Sequence, residues 1–126
     1  MYLYRSHPMG LNSAMADKLD IDAMRDALWQ ERTRLGQSSL ATSGKRSPVT
    51  LDQQSVGRLS RMDAMQVQAM AKAEEARRQQ RLRLIEAALR RIDEGEYGYC
   101  VACGDDIVPG RLVSDPASPR CVACAR

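Results

Sequence analysis

The chain has 126 residues, with 19 basic and 16 acidic side chains and a formal charge of +3. That length suits one compact domain, or a small module on an extended element, and the absence of Phe with aromatics at 4% excludes a large conventional core. The small net charge does not by itself imply a nucleic-acid partner, since phosphate binding usually shows as a concentrated basic footprint, and charge alone leaves the partner open; no apolar run reaches the roughly 18–20 residues that cross a bilayer.

Residues 1–16 show neither helical nor strand periodicity and are expected to be a disordered tail, with Met9 and Met15 as alternative starts. The single histidine, His7, reads as a solvated tail residue. No basic stretch followed by an apolar one opens the chain, so a cytoplasmic protein without membrane contact is expected.

From Asp17 the pattern changes. Ile21, Met24, Leu28 and Leu35 recur at helical spacing with Glu31 in the one gap, which predicts an amphipathic helix over about 17–42. Asp17, Asp20 and Asp22 set negative charge where it favours the helix dipole. A polar break, Ser43-Gly44-Lys45-Arg46-Ser47-Pro48-Val49, then turns the chain back.

A second helix is predicted over about 51–94, opened by the capping box Thr50-Leu51-Asp52-Gln53 and closed by Gly95 in a left-handed cap. At ~1.5 Å per residue it would run roughly 65 Å against about 40 Å for the first. With the turn near residue 47, the first helix would cover the second only to about Arg77. Two apolar stripes fit that division: Leu59, Met62, Ala69, Ala73 and Ala76, then Leu82, Ile85, Ala88, Leu89 and Ile92. The run Arg77-Arg78-Gln79-Gln80-Arg81 between them reads as a solvated junction, or as a contact for an anionic ligand.

All four cysteines fall at the end, as Cys100-x2-Cys103, seventeen residues, and Cys121-x2-Cys124. Cysteine pairs separated by two residues, returned upon each other by a loop of that length, make a tetrahedral thiolate cage for one Zn2+, and four protein ligands leave no open position, so the ion is expected to be structural. Gly104 suits a tight turn needing positive φ, with backbone N–H groups aimed at sulfur. Arg111 and Arg120 are positioned to offset the cage's negative charge, and Asp115-Pro116-Ala117-Ser118-Pro119 is expected to be an irregular return loop. Alternatives remain: two disulfides in an oxidising compartment, iron in place of zinc, or a zinc site that loses its metal on oxidation. With no catalytic histidine, phosphate-binding glycine loop or open metal site, an enzyme is not expected.

The stretch Glu94-Gly95-Glu96-Tyr97-Gly98-Tyr99-Cys100-Val101-Ala102-Cys103-Gly104, with the spacer and second cysteine pair, resembles the DksA/TraR family of bacterial zinc-finger regulators over roughly residues 17–126. The resemblance implies a mainly α fold, an antiparallel two-helix coiled-coil hairpin over 17–95 with a small C-terminal C4 zinc ribbon over 96–126. It implies a transcription regulator that binds RNA polymerase through the secondary channel, without sequence-specific DNA binding, and a monomer is expected. The family's acidic tip, Asp-x-x-Asp-x-Ala, finds its counterpart in Asp52, Ser55 and Gly57, with Asp63 as a second candidate nearer the cysteines. The chain reads as a short form, without the C-terminal helix that helps longer members form a ppGpp site. Arg77 and Arg81 are the candidate anion contacts, and ppGpp dependence of the usual kind is not expected. The alternatives are a zinc-ribbon module binding protein or nucleic acid, and a thiol redox sensor.

Overall fold

The structure is a computed structural model that describes residues 19–47 and 57–125. The expected tail, the capping box at Thr50 and the tip residues Asp52 and Ser55 lie outside the described residues. Three α-helices follow in order: α1 (Ile21–Ala41), α2 (Arg58–Glu94) and α3 (Pro109–Ser114), with a 3-10 turn at Ser43–Arg46. Mainly helical architecture is what the periodicity predicts. Among the described residues the only β pairing is an isolated antiparallel bridge between Tyr99 and Asp106.

The start of α1 and both ends of α2 rest on recognisable chemistry. Asp20 caps α1, its carboxylate accepting the Ala23 N–H at 3.0 Å. Gly57, expected inside the second helix, lies just before it and lends its carbonyl to the Arg61 N–H. Glycine loses more backbone freedom in a helix than any other residue and is tolerated at a cap. At the far end Gly95 takes φ +76, with Glu96 N–H bonded to Arg91 O at 2.8 Å and Gly95 N–H to Ile92 O at 3.2 Å. These two bonds are the Schellman pattern, and they close α2 where the sequence places its left-handed cap.

The chain divides into two units. One comprises the described residues 19–32 and 83–125. It buries Leu28 from α1 with Ile85, Ala88 and Ile92 from α2, matching the second predicted stripe. Arg32 pairs with Glu86 at 3.2 Å and lies 4.9 Å over the Trp29 ring, while Arg25 reaches Asp93 at 3.8 Å. Cover by the first helix was expected to stop near Arg77; these contacts carry it to Asp93, because opposite charges lie at matching heights on antiparallel helices. The register differs from one set by a turn at residue 47.

The second unit comprises residues 33–82, and its seam is polar. Glu75 accepts Ser39 Oγ at 2.9 Å and pairs with Arg46 at 3.2 Å and Arg78 at 2.9 Å, while Gln79 Nε2 donates to it at 2.7 Å. Arg78 also donates to Thr42 Oγ1 at 3.0 Å, and Gln68 to the Ser47 carbonyl. Arg78 is thus largely enclosed and not part of a solvated junction. The seam positions on α2 are Arg61, Ala64, Gln68, Ala71, Glu75 and Arg78. The expected stripe of Leu59, Met62, Ala69, Ala73 and Ala76 faces outward instead. The reason lies on the facing segment, which beyond Leu35 offers Ser39 on α1, then Thr42 and Arg46 at that spacing; Ser39 and Arg46 donate to Glu75 and Thr42 accepts from Arg78, contacts that Leu and Met could not supply.

Candidate metal centre

The centre begins where α2 ends. After the Gly95 turn, Tyr97 is buried and its hydroxyl donates to Pro116 O at 2.7 Å, pinning the start of the finger to the return loop. The backbone then forms a tight hairpin, with Cys100 N–H bonded to Asp105 O at 2.7 Å and Ile107 N–H to Gly98 O at 2.8 Å. Gly104 takes φ +82 as expected, but its N–H closes the turn on Cys100 O at 2.9 Å; the sulfur of Cys100 receives the Ala102 N–H at 3.4 Å.

Helix α3 opens with Pro109, whose missing N–H costs nothing in a first turn. It delivers Leu112 fully buried into a small core with Ile107 and Ala117. Arg111 Nε donates to the carbonyl of Arg120 at 2.9 Å, so this guanidinium braces the residue before the second cysteine pair. Arg120 itself is exposed. The return loop is ordered: Asp115 Oδ1 accepts Ala117 N–H at 3.2 Å, and Pro119 O accepts Val101 N–H at 2.9 Å, tying the second half of the finger to the first knuckle. Neither α3 nor the Tyr97 anchor is evident in hydrophobic periodicity; Pro109 as a first-turn proline is the signal that marks α3.

Cys100, Cys103, Cys121 and Cys124 place their sulfurs within 4.8 Å of one another. Cys103 Sγ and Cys121 Sγ are 3.7 Å apart and all four thiols are free. A disulfide requires about 2.05 Å, whereas Zn–S bonds of about 2.3 Å in a tetrahedron give an S···S edge of about 3.8 Å. The spacing is that of a shared cation.

Electrostatics agree. Burial opposes ionisation of Cys100, but the backbone N–H groups of Cys121, Cys103 and Ala102 outweigh it and bring the thiol down to about 6. Cys124 is pushed up to about 12 by the neighbouring sulfurs of Cys121, Cys103 and Cys100. Cys103 is also raised: the Asp105 N–H favours its thiolate, but burial and the sulfurs of Cys100 and Cys121 prevail. One thiolate is accommodated by the backbone, and further charge on the cluster requires a cation at its centre.

Residues 95–126 match the prokaryotic dksA/traR C4-type zinc finger. The chain carries a finger of the dksA/traR C4 type. The four cysteines of this DksA/TraR finger hold one structural zinc ion, which when bound neutralises the thiolates and cross-links the two knuckles. Over 43 residues the chain is 37% identical to the RNA polymerase-binding transcription factor DksA of Haemophilus influenzae, and over 44 residues 43% identical to an uncharacterized protein of Aquifex aeolicus. These stretches cover 34% and 35% of this chain and 30% of each relative. The fold extends the likeness: transcription factor DksA2 from Pseudomonas aeruginosa superposes with a TM-score of 0.67 at 22% identity, over 83% of this chain and 79% of that one.

The remaining candidate residues are dispersed. Gly57 is exposed immediately before α2, and Asp63 is exposed on its second turn. Arg77 is exposed on α2, while Arg81 is partly buried and engaged in an interaction.

Proposed function

We propose that the chain regulates transcription by binding RNA polymerase, with the two-helix hairpin inserted in the secondary channel and the zinc finger holding its base. The observation that carries this reading is the DksA/TraR finger at residues 95–126, joined through the Gly95 turn to a helix of 37 residues. The relative from Haemophilus influenzae is named for polymerase binding. A metal site with four protein ligands has no position for substrate, so the protein acts by binding rather than catalysis. Contact is through protein surfaces without sequence-specific DNA binding, in the cytoplasm. Among the described residues no helix is long and apolar enough to cross a membrane.

In this reading Asp52, Ser55, Gly57 and Asp63 supply the polymerase-contact tip, and Arg77 and Arg81 the anion contacts. Purified, zinc-loaded protein should co-elute with RNA polymerase on a sizing column and change open-complex lifetime at a ribosomal promoter. Pull-downs comparing wild type with Asp52→Ala and Asp63→Ala assign the tip. No co-elution, together with an unaltered open-complex lifetime at saturating protein, defeats the proposal.

A further inference from the structure

The unit over residues 33–82 is inside out by the usual measure. Its α2 seam buries Ala71 and a network centred on Glu75, while Leu59, Met62, Met65 and Met70 stand 76%, 48%, 53% and 65% exposed. These four side chains occupy the side of α2 facing away from the seam. Leu59, Met62, Gln66, Ala69 and Ala73 follow one another at alternating steps of three and four, the spacing of a coiled-coil contact row.

We propose that residues 58–77 of α2 form a self-association face, through which two copies of this chain pair in parallel about a twofold axis. The charges on its borders select this occupant and this direction. Arg58 lies on one border and Asp63 on the other, five residues apart, so in a parallel pair each Arg58 meets Asp63 of the second copy. One heptad on, Met65 meets Met70 in the same relation, extending the apolar strip. Run antiparallel with Leu59 opposite Ala76, the same face makes no ion pair and sets Met65 against Lys72. Past residue 70 the parallel pair brings Lys72 towards Arg77, and this repulsion ends the contact. Gln66, in the centre of the row, meets itself in the parallel dimer and fixes register, as a buried polar residue at such a position does. The monomer expected from sequence leaves this face uncovered. The inference stands apart from polymerase binding.

Sedimentation equilibrium of the zinc-loaded full chain tests it. The mass should rise with concentration from 14.0 kDa towards twice that value. Met62→Glu should hold the protein at the single-chain mass at every concentration. Asp63→Arg should weaken pairing by about tenfold through two symmetric like-charge contacts, and adding Arg58→Glu should restore it. Circular dichroism of each variant separates loss of pairing from loss of helix. A single-chain mass for wild type up to the highest soluble concentration overturns the proposal and leaves the face to a different partner. A dimer that survives Met62→Glu, or the absence of recovery in the charge-swapped double variant, overturns it as well.

Discussion

Tyr97 and Pro116 are joined by a hydrogen bond of 2.7 Å from the phenol to the backbone carbonyl, across 19 residues of chain. The bond closes the finger below its zinc cluster, linking the segment that leaves α2 to the loop that returns to Cys121. It gives a buried aromatic side chain its polar partner at the place where a small domain has few other contacts.

Tyr97→Phe removes that donor and leaves the Pro116 carbonyl without it, at a cost of about 1 kcal/mol. Burial pushes the Tyr97 hydroxyl up to about 12, against the opposing pull of Arg91. Its folded value exceeds the ordinary 10.0, so the contribution is complete below pH 10 and is lost as pH rises through about 12. Alkaline unfolding of the zinc-loaded finger, followed by near-ultraviolet dichroism, should show this step in wild type and lose it in Tyr97→Phe.

Cys121→Ser should abolish stoichiometric zinc and unfold residues 95–125, because the metal contributes on the order of 10 kcal/mol to a site this small. Metal analysis and hydrogen exchange measure the two effects. Chelation of wild type should produce the same exchange pattern, and protection of residues 95–125 without metal would contradict the structural role of zinc.

Leu112→Ala opens a cavity in the finger core and should cost about 3 kcal/mol, since Leu112 is fully buried and few neighbours can close in on it. Faster zinc transfer to a chromogenic chelator reads this out. Arg111→Ala should accelerate transfer less, because it frees one carbonyl of the second knuckle without opening a void.

Gly95→Ala forces a β-carbon onto a backbone at φ +76, and should cost about 1 kcal/mol although nothing lies within 4 Å of the added atom. Thermal melting compared with Gly36→Ala, a helical glycine with equally open surroundings, separates backbone strain from steric effects: the first should lower the melting temperature and the second should not.

Acid should loosen the 33–82 unit through Glu75. Hydrogen bonding from Gln79 leads, with Ser39, Arg78 and Arg46 adding to it against the opposing effect of burial, and together they hold the carboxyl below its ordinary 4.5. A depressed folded value means the contribution is present above pH 4.5 and lost as pH falls through the lower folded value. Exchange protection of α2 amides around residue 75 should fall over that interval in wild type, and Glu75→Gln should already show reduced protection at neutral pH.

The chain's own order of residues determined the zinc cage, the two long helices, the Gly95 stop and the apolar row from Ile85 to Ile92. Each is local or carried by spacing: two cysteine pairs, a 3.6-residue period, a glycine after the last turn. Which face of α2 meets α1 in the 33–82 unit was decided only in three dimensions. Periodicity collects Leu59, Met62 and Ala69 on one face, yet it cannot say that the opposing segment offers Ser39 and Thr42 and so draws Glu75 and Arg78 inward from 36 residues away. The finger followed the same rule, with Cys100 and Cys103 legible from their spacing, while the Tyr97 anchor and the Arg111 brace depended on carbonyls that only the folded loop brings within reach.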